Sequence, residues 1–190
     1  VTPGANIPSI RIAVSAESAG WTRSLPDAAK LGRQAARRAL KAGLASGEPR
    51  PASLAGRKAL HLSLVLGDDA TLRILNRDYR GKDRPTNVLS FAALDGLPLD
   101  SKHLAHHFPA EAPIHLGDVI LALGTLKREA REQRKSLKQH YVHLVVHGVL
   151  HLLGFDHMRG REARRMEALE REVLAGLGWP DPYVVQLERK

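Results

Sequence analysis

A chain of 190 residues, 43% of them apolar, has the size of one ordinary domain and can bury a core without covalent staples. It contains no cysteine, which excludes disulfides, thiolate metal ligands and cysteine catalysis. The net charge of +9 is lopsided: residues 1–60 carry ten Lys and Arg against three acids, and residues 61–190 nineteen against seventeen, so the chain is suited to a polyanion such as nucleic acid.

No apolar run approaches the roughly 20 residues of a membrane helix, and the first residues lack the charged-then-apolar order of a secretory signal. The expectation is a cytoplasmic protein without membrane contact. Residues 1–8, with Pro3, Gly4 and Pro8, read as a loose lead-in. Ile10, Ile12 and Val14 then alternate and predict a strand over 9–14. Pro26 and Asp27 start a helix that reaches about Ala45. Lys30, Arg33, Arg37, Arg38 and Lys41 share one face of it, either a solvated exterior or a stripe that tracks a phosphate backbone; Arg33, Arg37 and Lys41 are candidate nucleic-acid contacts.

After a loop over 46–58, Leu60, Leu62, Leu64 and Leu66 give the period of a half-buried strand. Asp68 or Asp69 caps the next helix, whose Leu72, Leu75 and Tyr79 are expected to pack inward. The stretch 75–91 leaves that helix through a turn set by Gly81 and Pro85 and enters a strand. Arg80, Lys82 and Arg84 crowd the turn. They are a plain charged surface or a phosphate clamp, a task for which the fixed donor fork of Arg is suited.

Residues 93–113 are a long loop insertion, and no helix or turn signal fixes its His103, His106 and His107 together. A strand follows over 114–123, interrupted by Gly117 and Asp118, then a polar helix from Gly124 and Thr125 to about Lys135. Ser136 with Gln139 three residues on is a capping box for a helix over 137–153.

On that helix His140, His143, His147 and His151 fall within an arc of roughly 80°. His147 and His151, one turn apart, can grip one ion, and Gly154 permits a turn that brings His157 back toward them. H-x3-H-x2-G-x2-H is the ligand spacing of the metzincin proteases, but the position of their general base, a glutamate, is here Gly148. Three imidazoles leave a fourth position for water, and one zinc ion suits them better than nickel or iron. His143 is placed to orient a ligand or assist proton transfer, whereas His140 is expected at the exposed start of the helix. Tyr141, Leu144, Val145, Gly148 and Leu152 belong to its buried side. A last helix over 160–177 turns Met166, Leu169, Val173 and Leu177 inward, with its Glu and Arg residues in exposed pairs.

Two stretches together, His147 to His157 and Tyr79 to Phe91, with Leu116-Gly117-Asp118 between them, closely resemble the bacterial YbeY family of ribosomal-RNA-maturation endoribonucleases over roughly residues 60–183. Phe155, where many members have Tyr, and the enlarged histidine-bearing loop depart from the family pattern. The resemblance implies a metal-dependent endoribonuclease acting in 16S 3′-end maturation and ribosome quality control. Its zinc ligands fall on His147, His151 and His157 and its essential arginine on Arg80; its partners include ribosomal RNA, ribosomal protein S11 of the small subunit and a ribosome-assembly GTPase.

In such a site the metal activates water and polarises a phosphoryl oxygen, while Arg80 binds the developing negative charge and Lys82 and Arg84 extend the basic surface. The proton acceptor stays open between the metal-activated water itself, Asp156 and His143, and Asp156 equally suits steering His157 or His151. Two other readings compete: a zinc peptidase, which lacks its carboxylate base, and a non-catalytic RNA-binding assembly factor with a structural zinc. The expected fold is α+β, or mixed α/β, in a single domain over 1–190, with a small, partly parallel sheet of about four strands covered by helices.

Overall fold

The computed structural model describes residues 8–47, 54, 57–97, 104, 106–109, 111–156 and 160–184. The alternating apolar runs build β1 (Ser9–Ala16), β2 (Ala59–Gly67), β3 (Val88–Ala92) and β4 (Ile114–Ala122). They join in one sheet of order β1-β2-β4-β3, with β1, β2 and β4 parallel and β3 antiparallel at one edge. The expected α+β architecture with a partly parallel, four-stranded sheet is therefore correct.

Helices α2 (Ala28–Ala45) and α5 (Leu137–Leu152) cover one face of the sheet, α2 against β1 and α5 against β3 and β4. They approach closely because α2 turns small residues to α5: a Cβ on Gly32 would lie 2.4 Å from the Tyr141 hydroxyl, which donates a hydrogen bond to the Ala28 carbonyl at 3.0 Å. Helix α6 (Gly160–Gly176) packs on both, through Met166, Val173 and Leu174. Helix α3 (Asp69–Arg80) covers the opposite face and packs Leu72 with Leu89 and Ala122, while α4 (Leu123–Glu132) lies between α3 and α5.

One further helix, α1 (Ala19–Ser24), escapes the sequence reading because six residues are too few to display an apolar period. Ser18 caps it, and its Trp21 is buried, with the indole N–H donating to the Gly67 carbonyl at 2.7 Å.

The interruption foreseen at Gly117 is a bulge: the β2–β4 register slips between His61 and Ser63, and Gly117 takes φ 129°. A Cβ there would lie 2.0 Å from the Phe91 carbonyl oxygen. Only glycine lets the edge strand close on β4 at this point.

The α3 terminus sets the position of Arg80. Asp68 opens the helix by accepting the Thr71 N–H at 2.9 Å, and Gly81, at φ 67°, ends it. Lys82 N–H returns to the Asn76 carbonyl at 3.1 Å, and buried Asn76 donates to the Arg84 carbonyl at 2.7 Å, so the charged turn is pinned from beneath. The expectation that Tyr79 packs inward is wrong: it is 70% exposed. At its last turn α3 has reached the sheet edge, where the Tyr79 and Phe91 rings meet edge to face with centroids 5.0 Å apart.

Candidate metal centre and cleft

Helix α5 carries the candidate ligands and begins where the capping residue requires, with Ser136 Oγ accepting the Gln139 N–H at 3.1 Å. Its apolar face, including Leu144, Val145 and Val149, is buried. Gly148 faces the sheet. A Cβ at 148 would stand 2.5 Å from Val119 Cγ1 and 3.0 Å from Ser90 Oγ, and that Ser90 hydroxyl donates to the Gly148 carbonyl at 3.1 Å. The position that holds a general base in metzincins is thus a packing contact with no room for a methyl group.

One turn apart on the other side, His147 and His151 bring their Nε2 atoms to 3.1 Å from each other. Two nitrogens each ~2.05 Å from one tetrahedral zinc would lie roughly 3.3 Å apart, so the pair fits a shared ion. The tautomer agrees: His147 Nδ1–H donates to Glu170 Oε1 at 2.9 Å, which leaves the lone pair of Nε2 turned toward His151. After α5 the chain reverses at Gly154, φ 83°, with the Phe155 N–H donating to the Leu150 carbonyl at 3.1 Å. That is the turn the glycine was expected to supply. Asp156 emerges exposed beside the cleft, and His157, the third candidate ligand, lies outside the described residues.

Sequence reasoning missed the carboxylate behind the histidines. The expectation that the acids of α6 are exposed is wrong for Glu170, which has no exposed surface. Its Oε1 accepts from His147; its Oε2 accepts from His143 Nε2 at 3.0 Å and from the Tyr183 hydroxyl. Burial alone would raise this carboxyl, but the hydrogen bonds from His143 and His147 outweigh it and bring it down to about 2. The signal was available: Glu170 follows Met166 by four and precedes Val173 by three, and so belongs to the buried stripe.

His140 also differs from expectation. It is 3% exposed rather than at an exposed helix start, because α4 packs alongside and its Glu129 Oε2 lies 2.8 Å from His140 Nε2.

A cleft of about 580 Å³ opens between His147 and His151 on one wall and the edge strand on the other, with Asp95 and Asp156 at its rim and Arg80 across from the histidines. Through Arg80, Thr86 and Asn87 it adjoins a second pocket of about 380 Å³ that carries Lys82, Arg84 and Arg128. Neighbouring arginines are neutralised locally, Arg73 by Asp83 at 2.8 Å and Arg77 by Asp78 at 2.7 Å. Among the described residues no acid pairs with Arg80, Lys82 or Arg84.

The structure thus brings together His147, His151, Asp156, Arg80, Lys82 and Arg84. It places His143 behind His147, facing Glu170 rather than the cleft. Arg33, Arg37 and Lys41 are exposed on α2, which packs over β1 at the far edge of the sheet, and do not line the cleft. Of the loop histidines, His106 and His107 are exposed with ring centroids 5.2 Å apart, and His103 lies outside the described residues.

A family model described as endoribonuclease YbeY matches residues 33–178. The chain belongs to the endoribonuclease YbeY family. Among curated relatives, the endoribonuclease YbeY of Paramagnetospirillum magneticum is 51% identical over 176 residues, 92% of this chain and 96% of that protein. Those of Rhodospirillum rubrum and Azorhizobium caulinodans are 45% and 46% identical, over 92% and 94% of this chain and 82% and 99% of theirs. The YbeY match spans β2 through α6, and so takes in Arg80, the histidine helix and Glu170 together.

Proposed function

We propose that this member of the endoribonuclease YbeY family cuts single-stranded stretches of ribosomal RNA, in 16S 3′-end maturation and ribosome quality control, using one zinc ion held by His147, His151 and His157. The observation that carries the reading is the 3.1 Å approach of His147 and His151 Nε2 in a cleft that faces Arg80. When bound, zinc supplies a Lewis acid and lowers the pKa of a coordinated water toward about 7. The residues of the chain do the rest. Arg80, which no acid among the described residues satisfies, donates two parallel hydrogen bonds to the non-bridging oxygens of the phosphodiester as they gain charge. Lys82 and Arg84, with Arg128 beside them, hold the backbone of the neighbouring nucleotides in the adjoining pocket. Asp156, at the cleft rim, is the proton acceptor; His143 is turned away and occupied by Glu170.

A peptidase reading has no support at position 148, where Val119 and Ser90 exclude a side chain. Family membership and the basic cleft support ribosomal RNA as substrate, a cytoplasmic setting, and partners that include ribosomal protein S11 and a ribosome-assembly GTPase. Among the described residues no helix is long and apolar enough to cross a membrane.

The test is metal content and cleavage of a labelled 16S precursor, for the parent and His147→Ala. Stoichiometric zinc and cutting in the parent, both lost in the variant, with cutting abolished by chelation and restored by zinc, is the expected result. Zinc-loaded protein that binds the RNA and leaves it intact would make the chain an assembly factor instead.

A further inference from the structure

We infer that Glu170, held in place by Tyr183 and His143, is a positioning residue that fixes His147 as its Nδ1–H tautomer and so presents the Nε2 lone pair to the metal position. This rests on the reading of His147 as a ligand, and adds to it the device that sets its orientation.

The hydrogen bonds of Glu170 account for the arrangement. A carboxylate without exposed surface must be met by donors, and three converge on it, two from α5 and one from the segment after α6: His147 Nδ1–H on Oε1, His143 Nε2–H and the Tyr183 hydroxyl on Oε2. A tyrosine hydroxyl facing a carboxylate donates, and each imidazole must donate with the nitrogen that faces an ionised oxygen. Among the described residues His143 Nδ1 is buried without a partner, which suits a lone pair far better than an N–H and puts the proton of His143 on Nε2, toward Glu170. With Glu170 Oε1 facing Nδ1, the neutral form of His147 that fits carries its proton on Nδ1 and a lone pair on Nε2, the atom 3.1 Å from His151 Nε2.

Tyr183 reaches Glu170 because the segment after α6 is strapped down. The Asp181 carboxylate accepts from the Tyr183 N–H at 2.8 Å and from Arg171 Nε at 3.2 Å, the Arg171 guanidinium lies 4.7 Å above the Tyr183 ring, and Lys135 Nζ donates to the Pro182 carbonyl at 2.6 Å. None of these contacts involves a candidate ligand. Their common effect is to bring one hydroxyl to the carboxylate that orients His147.

The test uses full-length protein in which Glu170→Gln and Tyr183→Phe are compared with the parent. It reads the His147 tautomer by nitrogen-15 NMR of metal-free protein, and zinc affinity by competition with a chromophoric chelator. Expected are Nδ1–H on His147 in the parent, zinc affinity about 10–100-fold weaker in Glu170→Gln, and a smaller loss in Tyr183→Phe. That second variant removes only a hydroxyl from a ring whose other contacts remain, and it keeps the test valid if Glu170→Gln does not fold. Cobalt substituted for zinc should show a changed visible spectrum in both variants, which loss of stability alone would not produce.

A proton on Nε2 of His147 in the metal-free parent overturns the inference, and so do folded variants that bind zinc as tightly as the parent. A parent with the Nδ1–H tautomer that takes up no zinc would instead uphold the positioning and defeat the metal reading.

Discussion

Arg80 and Gly148 are two residues whose roles are set by what surrounds them. Among the described residues no hydrogen bond joins Arg80 to His147 or His151, so Arg80→Ala should retain zinc and lose RNA cleavage; cutting by the purified variant would remove Arg80 from the mechanism. Gly148→Glu should yield no peptidase, and should lower unfolding stability by about 1–3 kcal/mol, because the new side chain has to displace Val119 and Ser90. Denaturant unfolding and an assay on an unstructured protein check both halves. His147 and His151 were legible in the sequence because four-residue spacing on an apolar helix has a single geometric meaning. Glu170 was not, because acidic residues on a charge-rich helix are exposed far more often than buried, and its three donors come from distant parts of the chain.

The elements were largely legible, since each strand and long helix announces itself by period and caps; α1 and the burial of His140 were not, being decided by what packs against them. Two local devices make predictions. The Thr71 backbone N–H holds the Asp68 carboxyl below its ordinary value, so the cap contributes fully above pH 3.8 and its contribution fades as the pH falls below that. Asp68→Ala should cost about 1 kcal/mol at pH 7, and urea unfolding at pH 7 and at acid pH should show the gap between parent and variant closing in acid. Gly117→Ala should cost more, about 2–5 kcal/mol, by adding a side chain at φ 129° and against the Phe91 carbonyl. Because that contact seats β3, amide exchange should rise first at the edge strand.

At the scale of the molecule, the sheet order decides which basic residues can act together. The sequence displays two clusters of positive charge and no means of choosing between them, because their placement at opposite edges is a property of the topology. β3 and the turn before it line the cleft, while α2 packs over β1. Replacing both Lys82 and Arg84 with Ala should therefore weaken binding of a single-stranded RNA and reduce the slope of log affinity against log salt by about 1.4, at ~0.7 per phosphate contact. Arg37→Ala with Lys41→Ala should change the affinity less, and an equal change would mean that the RNA reaches around the fold.

The order of parts along the chain has its own consequence. A polypeptide is made from its N-terminus, so Arg80 and the paired imidazoles exist before the glutamate and the tyrosine that hold one of those imidazoles in place. During synthesis there is an interval in which the histidines have been made and nothing yet dictates where their protons reside. A nuclease whose proposed substrate belongs to the machine that makes it would gain from that delay, since its centre would be armed last.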